Sequence, residues 1–163
     1  MSDFDRDTKV YEVRRERRAE IERTLTDPGR HEWQLSNDLQ KELCRYLVGG
    51  GIGAIALFKT LGLSGQAFWG VAAGCAISTI IAFTSMFLRS QGHYHDGNHY
   101  FVLARKNLVQ MDGGPWSARE EAELAAENLL AKRYKAAAMI CFFSAATVLA
   151  GIATIGVVLL VTR

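Results

Sequence analysis

Three long apolar stretches constrain the fold of this chain more than any other feature. Residues 46–63, 67–88 and 136–161 contain one charged residue between them, Lys59. A helix needs about 20 mostly apolar residues to cross a hydrocarbon core of roughly 30 Å, and the last two stretches reach that length. The first is shorter, but Lys59 can extend its aliphatic stem and place its ammonium at the headgroups. We therefore predict an all-α integral membrane protein with three transmembrane helices.

The short connection at residues 63–66 predicts that the first two spans form a helical hairpin over residues 46–88. Both spans carry small residues at helical spacing, a glycine-zipper pattern that lets helix backbones approach closely. These residues are Gly49, Gly53, Gly70, Gly74 and Ser78. In one interpretation they pack the hairpin against itself. In the other they face a second copy of the protein in an oligomer.

The distribution of lysine and arginine predicts the topology, because positive residues near span ends stay on the cytoplasmic side. They cluster before the first span and between the second and third, whereas the other side has only Lys59 and Arg163. The N-terminus is therefore predicted inside and the C-terminus outside. No apolar run precedes Tyr46, so no signal peptide is expected, and a bacterial inner (cytoplasmic) membrane is the predicted location of this multi-pass chain.

The N-terminal segment, residues 1–45, is predicted to hold two cytoplasmic helices separated by residues 26–29, where Pro28 would open the second helix. The second helix is amphipathic, since its apolar residues recur at helical spacing up to the first span. The residues expected to anchor it at the membrane interface are Trp33, Leu35, Leu39 and Leu43. Because tryptophan favours the headgroup level, we expect this juxtamembrane helix to lie along the bilayer surface. A cytoplasmic bundle between copies would use the same stripe.

Residues 89–135 are predicted to form a cytoplasmic loop that is too long to be a mere connection. Within it, residues 100–111 are predicted as helix or strand, because their periodicity does not decide between the two, and residues 112–115 read as a break. Ser117 and Glu120 then have the capping-box spacing, in which each side chain satisfies a free backbone N–H at a helix start. We therefore expect a helix to begin at about residue 117 and to continue into the third span, residues 136–161.

One cluster within that loop has residues suited to metal chemistry: His93, His95, Asp96 and His99. Imidazole and carboxylate groups are transition-metal ligands, and two histidines separated by one residue can project together from an extended segment. His99 would then return after a turn at Asp96-Gly97. The alternatives are a polar turn at the membrane edge and a pH-sensing role, since histidine titrates near neutrality. No other cofactor is predicted.

Several function classes are disfavoured by the sequence. It has no phosphate-binding glycine loop, nucleophile elbow or H-E-x-x-H helix, so we predict that the protein is not an enzyme. The spans lack the buried acidic, arginine or histidine residues that ion-coupled transporters use. The formal net charge is only +2, with arginines interleaved by glutamates, so nucleic-acid binding is not expected.

Three functional hypotheses remain after these exclusions. The first is a non-enzymatic scaffold, accessory subunit or signal-receiving module, with the lipid bilayer, further copies of itself or other membrane subunits as partners. The second is an oligomeric pore-forming or membrane-disrupting effector of the holin-like or bacterial defence type, an analogy that rests on size and topology alone. The third is a metal- or pH-responsive membrane protein that uses His93, His95 and His99.

Overall fold

The computed structural model contains three long α-helices: α1 (Asp3–Thr60), α2 (Gly65–Met111) and α3 (Ala118–Val161). It describes residues 3–60, 62 and 65–161, and the side chains of these except for residues 3–9, 43–44, 46–55, 57–58, 153, 156–157 and 159–160. No strand occurs among the described residues. The all-α fold class predicted from the sequence is therefore confirmed.

Two of the helices are long and apolar enough to cross a membrane, over Gly65–Met111 and Ala118–Ile152. Only 28% and 11% of the residues in their most apolar windows are buried, which differs from the core helices of soluble proteins. Helix α1 continues through the first predicted span, 46–63, as far as Thr60. Most side chains of that span lie outside the described residues, so a third crossing stays a prediction, as does the orientation of the termini.

The predicted break at residues 26–29 is wrong, because α1 runs through it with Pro28 inside the helix. Proline has no N–H and cannot donate to the carbonyl of Thr24 one turn earlier. At the place where Pro28 removes this hydrogen bond, α1 packs closely against α2. A Cβ atom on Gly29 would lie 3.2 Å from the carbonyl oxygen of Gly97 and 3.3 Å from Cβ of Tyr100, so the backbones of α1 and α2 approach closely here.

Residues 89–111 are the second half of α2, so the loop predicted to begin at residue 89 is wrong, and of the helix or strand expected over residues 100–111 the helix is present. The helix ends in a Schellman motif, in which Gly113 takes a left-handed φ of 73° and its N–H donates to the carbonyl of Gln110. The N–H of Gly114 donates to the carbonyl of Val109 at 2.9 Å. The connection to α3 is thus a short turn.

The start of α3 has the capping box expected from its sequence. The carboxylate of Glu120 accepts from the backbone N–H of Ser117 at 3.0 Å, and the Ser117 hydroxyl accepts from the N–H of Glu120 at 3.2 Å. These two bonds satisfy donors that a helix start leaves without intrahelical partners. Local chemistry therefore determines where α3 begins.

The chain divides into two compact units. Unit 1 contains Met1–Leu35 and His93–Ala131, and unit 2 contains Ser36–Gly92 and Lys132–Arg163. In unit 2, α2 and α3 pack through small buried side chains that include Ala72, Cys75, Ala138 and Ala145. Small residues allow this close approach, and hydroxyl groups then bridge the helices. Ser78 donates to the carbonyl of Ala145 at 3.0 Å and Ser85 donates to that of Ala138 at 2.6 Å.

Two of the three small residues in the second predicted span, Gly74 and Ser78, contact α3. A Cβ atom on Gly74 would lie 2.7 Å from Cδ1 of Ile152, and Ser78 is buried against the same helix. No described atom lies within 4 Å of the Cβ position of Gly70. The surroundings of Gly49 and Gly53 lie outside the described residues, so their predicted packing or oligomer role is untested.

A second polar contact in unit 2 joins α1 to α2. The hydroxyls of Ser36 and Ser90, both buried, lie 2.9 Å apart, and the amide of Gln40 donates to the Ser90 hydroxyl at 3.0 Å. The Ser90 hydroxyl also lies 3.1 Å from the carbonyl of Ser36. Buried hydroxyls need such partners, and here they come from two helices.

Unit 2 also leaves large apolar side chains of α2 and α3 exposed. Six of them, each more than half exposed, are Trp69, Ile77, Ile80, Ile140, Phe142 and Phe143. Apolar surface of this extent is rare on soluble monomers and marks contact with lipid or with another protein.

Candidate functional site

The histidine cluster lies in the middle of α2 rather than in a loop, and the helix divides its members between two faces. Each helical residue turns by about 100°, so His93 and Asp96 share one face while His95 and His99 share another. His93 and His95 therefore point in directions about 160° apart. The expectation of an extended segment that projects both histidines together is wrong for this reason.

The first face is turned toward α1 in unit 1. Nδ1 of His93 lies 2.5 Å from Oε2 of Glu32, and the two side chains are 13% and 22% exposed. An ionised carboxylate only accepts hydrogen bonds, so the imidazole N–H donates. Asp96 completes a group in which one ligand atom from each of the three residues lies within 4.8 Å of the others.

The second face is turned toward α3. Nδ1 of His95 lies 2.7 Å from Oε2 of Glu127, and Nδ1 of His99 lies 3.2 Å from the carbonyl oxygen of Leu124. A carbonyl oxygen accepts only, so Nδ1 of His99 carries the proton in this contact. The four residues predicted as one metal site are thus distributed between two contacts.

An aromatic cluster lies beside the first face. The indole of Trp33 stacks on Tyr94 with ring centroids 5.7 Å apart and meets Phe101 edge-on at 5.3 Å. Gly97 makes room for it, because a Cβ atom there would lie 2.0 Å from Cδ1 of Trp33. Such pairs add stability beyond the apolar area that they bury.

The residues predicted to anchor a surface helix have different environments. Trp33, 41% exposed, packs on α2 as described. Leu35 and Leu39 are half-buried, and the side chain of Leu43 lies outside the described residues. Interface anchoring by these residues stays a prediction, although the contacts of Trp33 within unit 1 give that residue a packing role that its sequence position did not indicate.

Ion pairs connect α2 and α3 near the turn that joins them. Lys106 donates to the carboxylate of Glu121 at 2.5 Å, and Nε1 of Trp116 donates to the same carboxylate at 2.9 Å. The hydrogen bond from Lys106 lowers the pKa of Glu121. Hydrogen bonds from the backbone and hydroxyl of Ser117 lower the pKa of Glu120. Both glutamates favour their charged forms in the folded state.

A groove on unit 1 carries charges of both signs. Arg18, Arg30 and Arg105 line it together with Glu22 and Asp112. Arg18 and Asp112 form an ion pair with each other, and Arg105 pairs with Glu123 at 3.1 Å. Because these charges are interleaved, the groove presents no patch of one sign for a highly charged ligand.

The nitrogen and oxygen donors at Glu32, His93 and Asp96 are ligands that divalent transition metals accept.

Sequence reasoning missed Glu32 and Glu127, the partners of His93 and His95. Nothing in their local sequence marks them, because both are acidic residues within charged helices. Only the packing of α1 and α3 against α2 brings them to the histidines.

Comparison of the chain with protein-family models, with curated proteins and with solved structures finds no significant match.

Proposed function

We propose that this chain is a small, non-enzymatic integral membrane protein of the bacterial inner membrane that acts as a self-associating scaffold, accessory subunit or signal-receiving module of a membrane complex. The observation that carries this proposal is the exposed apolar surface of unit 2, on two helices of membrane-spanning length. Exposure of Ile80, Ile140 and Phe143 to water is unfavourable in free energy, whereas contact with lipid tails or with the apolar helices of other subunits is not.

The hydroxyl groups of these helices support a bilayer environment. Polar groups in hydrocarbon need partners within the protein. Ser78 and Ser85 donate across to α3, and other hydroxyls donate to the carbonyl one turn earlier on their own helix. These are Thr79, Thr84, Ser144, Thr147 and Thr154.

The proposed topology follows from the sequence. Three spans, 46–63, 67–88 and 136–161, would place the N-terminus and residues 89–135 in the cytoplasm and the C-terminus outside. The ion pairs of unit 1, such as Lys106 with Glu121, suit an aqueous compartment. A cytoplasmic unit of this kind could receive a partner while the spans hold it at the membrane.

An oligomeric pore-forming effector is the alternative function, and a leakage assay separates the two. Purified protein would be reconstituted into vesicles that contain a trapped fluorescent dye. We expect intact vesicles, because hydroxyls in the apolar parts of α2 and α3, such as those of Ser78, Ser85 and Thr147, donate to carbonyls and so have a partner for their hydrogens without water. Steady, protein-dependent dye release would reject the scaffold in favour of the pore.

Self-association is tested in the same vesicles with a cross-linker that reacts with lysine. The scaffold proposal expects a ladder of discrete oligomers that persists when the protein is diluted with excess lipid. If cross-linking gives only monomers at every dilution, the apolar surface of unit 2 contacts lipid alone, and self-association is removed from the proposal.

A further inference from the structure

We propose that Glu32, His93 and Asp96 form a binding site for one divalent transition-metal ion of the zinc class, held between α1 and α2. The site does not depend on the membrane role proposed above. It differs from the set of three histidines and one aspartate expected from the sequence, because Glu32 joins it and His95 and His99 leave it.

The distances within the group suit a single ion. One ligand atom from each of Glu32, His93 and Asp96 lies within 4.8 Å of the other two. Atoms that each lie about 2 Å from one ion are separated by roughly 3–4 Å, so small side-chain rotations would complete the coordination. Nδ1 of His93 is 2.5 Å from Oε2 of Glu32. These two atoms would move apart by roughly 0.5–1.5 Å when an ion takes the place of the shared proton.

The backbone that carries these ligands is closely packed. His93 and Asp96 are three residues apart on one face of α2, and Glu32 faces them from α1. Gly29 and Gly97 bring the two backbones together on the same side, where a Cβ on Gly29 would lie 3.2 Å from the Gly97 carbonyl oxygen. Sites built on helices hold their ligands more accurately than sites built on loops.

The donor set selects the class of ion. One imidazole and two carboxylates match Zn²⁺, Mn²⁺, Fe²⁺ or Co²⁺, whereas Cu⁺ prefers sulfur ligands and Mg²⁺ and Ca²⁺ prefer oxygen alone. Zinc takes four ligands in most sites, so three protein ligands would leave one position for water or for a group from a partner. The partly exposed carboxylate of Glu32 leaves a route for the ion from solvent.

The other two histidines provide matched controls. His95 is paired with Glu127, and His99 is bonded to the carbonyl of Leu124, so both face α3 and not Glu32. They lie within a few residues of His93 on the same helix and have the same side chain. A metal that binds to histidine non-specifically would not distinguish among the three.

Trp33 supplies a local optical probe, because it stacks on Tyr94 beside His93 and follows Glu32 in the chain. The chain has three tryptophans, and Trp69→Phe with Trp116→Phe leaves only Trp33. This full-length protein, purified without a histidine tag and stripped of metal, would be titrated with Co²⁺ in detergent. Visible absorption reports the cobalt ligands, and Trp33 fluorescence reports the location.

We expect one Co²⁺ ion per chain, saturable quenching of Trp33 and reversal of both signals by Zn²⁺. His93→Gln and Asp96→Asn should each weaken binding by at least about tenfold, since even partners outside the ligand shell typically contribute that much to metal affinity. His95→Gln and His99→Gln should bind like the parent. Circular dichroism of each variant checks that it remains helical.

Three outcomes would overturn the site. They are no saturable Co²⁺ binding by the parent, undiminished binding by both His93→Gln and Asp96→Asn, and an equal loss of binding in His95→Gln and His93→Gln. The test uses variants at two different ligands because His93→Gln also removes the contact with Glu32. Asp96→Asn keeps that contact and replaces the carboxylate by a side chain of the same size.

Discussion

The carboxylate of Glu32 lies 2.5 Å from Nδ1 of His93, although the two residues are 61 positions apart in the chain. Both side chains are mostly shielded from water, so each depends on the other for its hydrogen bond. This contact joins α1 to α2 in unit 1.

The first prediction concerns this pair in the absence of metal. Glu32→Ala should lower the free energy of unfolding by about 1–3 kcal/mol, because it leaves the half-buried imidazole N–H of His93 without its acceptor. Glu32→Gln keeps an amide oxygen as acceptor and should cost less. Thermal unfolding in detergent with chelator, followed by circular dichroism, measures the difference. Equal stability of the parent and Glu32→Ala would show that the contact contributes nothing.

The second prediction tests the space that Gly97 provides. Gly97→Ala should destabilise unit 1 by about 1–3 kcal/mol, because the new Cβ would lie 2.0 Å from Cδ1 of Trp33 and the indole must move. Gly151→Ala is the matched control in α3, where no atom of the described residues lies within 4 Å of the Cβ position, and there alanine should be neutral or stabilising.

Rescue separates a clash from a general effect of Gly97→Ala. In a Trp33→Ala background the indole is gone, so adding Gly97→Ala should cost less than it does in the parent. The remaining cost comes from the carbonyl oxygen of Gly29, which lies 3.0 Å from the Cβ position of Gly97. Thermal unfolding of the four proteins gives the coupling energy. Strictly additive effects would contradict the assigned contact between Trp33 and Gly97.

Local chemistry allowed part of this fold to be predicted from the sequence. The charge-free stretches predict apolar helices, and Ser117 with Glu120 predicts where α3 starts. The helical state of residues 89–99 and the continuation of α1 through Pro28 were not predictable, because turn-forming residues there outweigh weak periodicity. The pairing of His93 with Glu32 depends on tertiary packing, which a single sequence does not encode in any local pattern.

The third prediction addresses the contact between α2 and α3 in unit 2. Gly74→Leu should separate these helices, because even a Cβ at that position would lie 2.7 Å from Cδ1 of Ile152. Gly70→Leu is the control one turn earlier on α2, where no described atom is within 4 Å. The thermal unfolding temperature in detergent should therefore fall for Gly74→Leu and stay unchanged for Gly70→Leu. A larger loss for Gly70→Leu would place the close helix contact elsewhere.

The fourth prediction is a pH dependence at the start of α3. The pKa of Glu120 is lowered in the folded state, chiefly by hydrogen bonds from Ser117, so its stabilising contribution is present above the ordinary value of 4.5 and is lost as the pH falls through the lowered folded-state value. Amide hydrogen exchange at residues 117–121, corrected for its intrinsic pH dependence, should therefore show reduced protection in acid.

Glu120→Gln is the control for this pH effect. Glutamine can complete a capping box but does not titrate, so the variant should lose the acid-dependent component at Glu120 while keeping a protected helix start. The same acid sensitivity in the parent and in Glu120→Gln would exclude this carboxylate as its origin. Lys106 and Trp116 hold the neighbouring Glu121 and remain unchanged in both proteins.

The fifth prediction tests membrane insertion directly, through positions that are exposed in the structure. In a background where Cys44, Cys75 and Cys141 are serine, single changes Ile80→Cys, Phe143→Cys and Glu123→Cys would be treated with a membrane-impermeant maleimide in inner-membrane vesicles. Ile80 and Phe143 are 62% and 60% exposed, so in water all three cysteines should react. We expect only Glu123→Cys to be labelled in inverted vesicles, with the other two labelled only after detergent denaturation. Rapid labelling of Ile80→Cys and Phe143→Cys in intact vesicles would contradict the membrane-spanning role of α2 and α3.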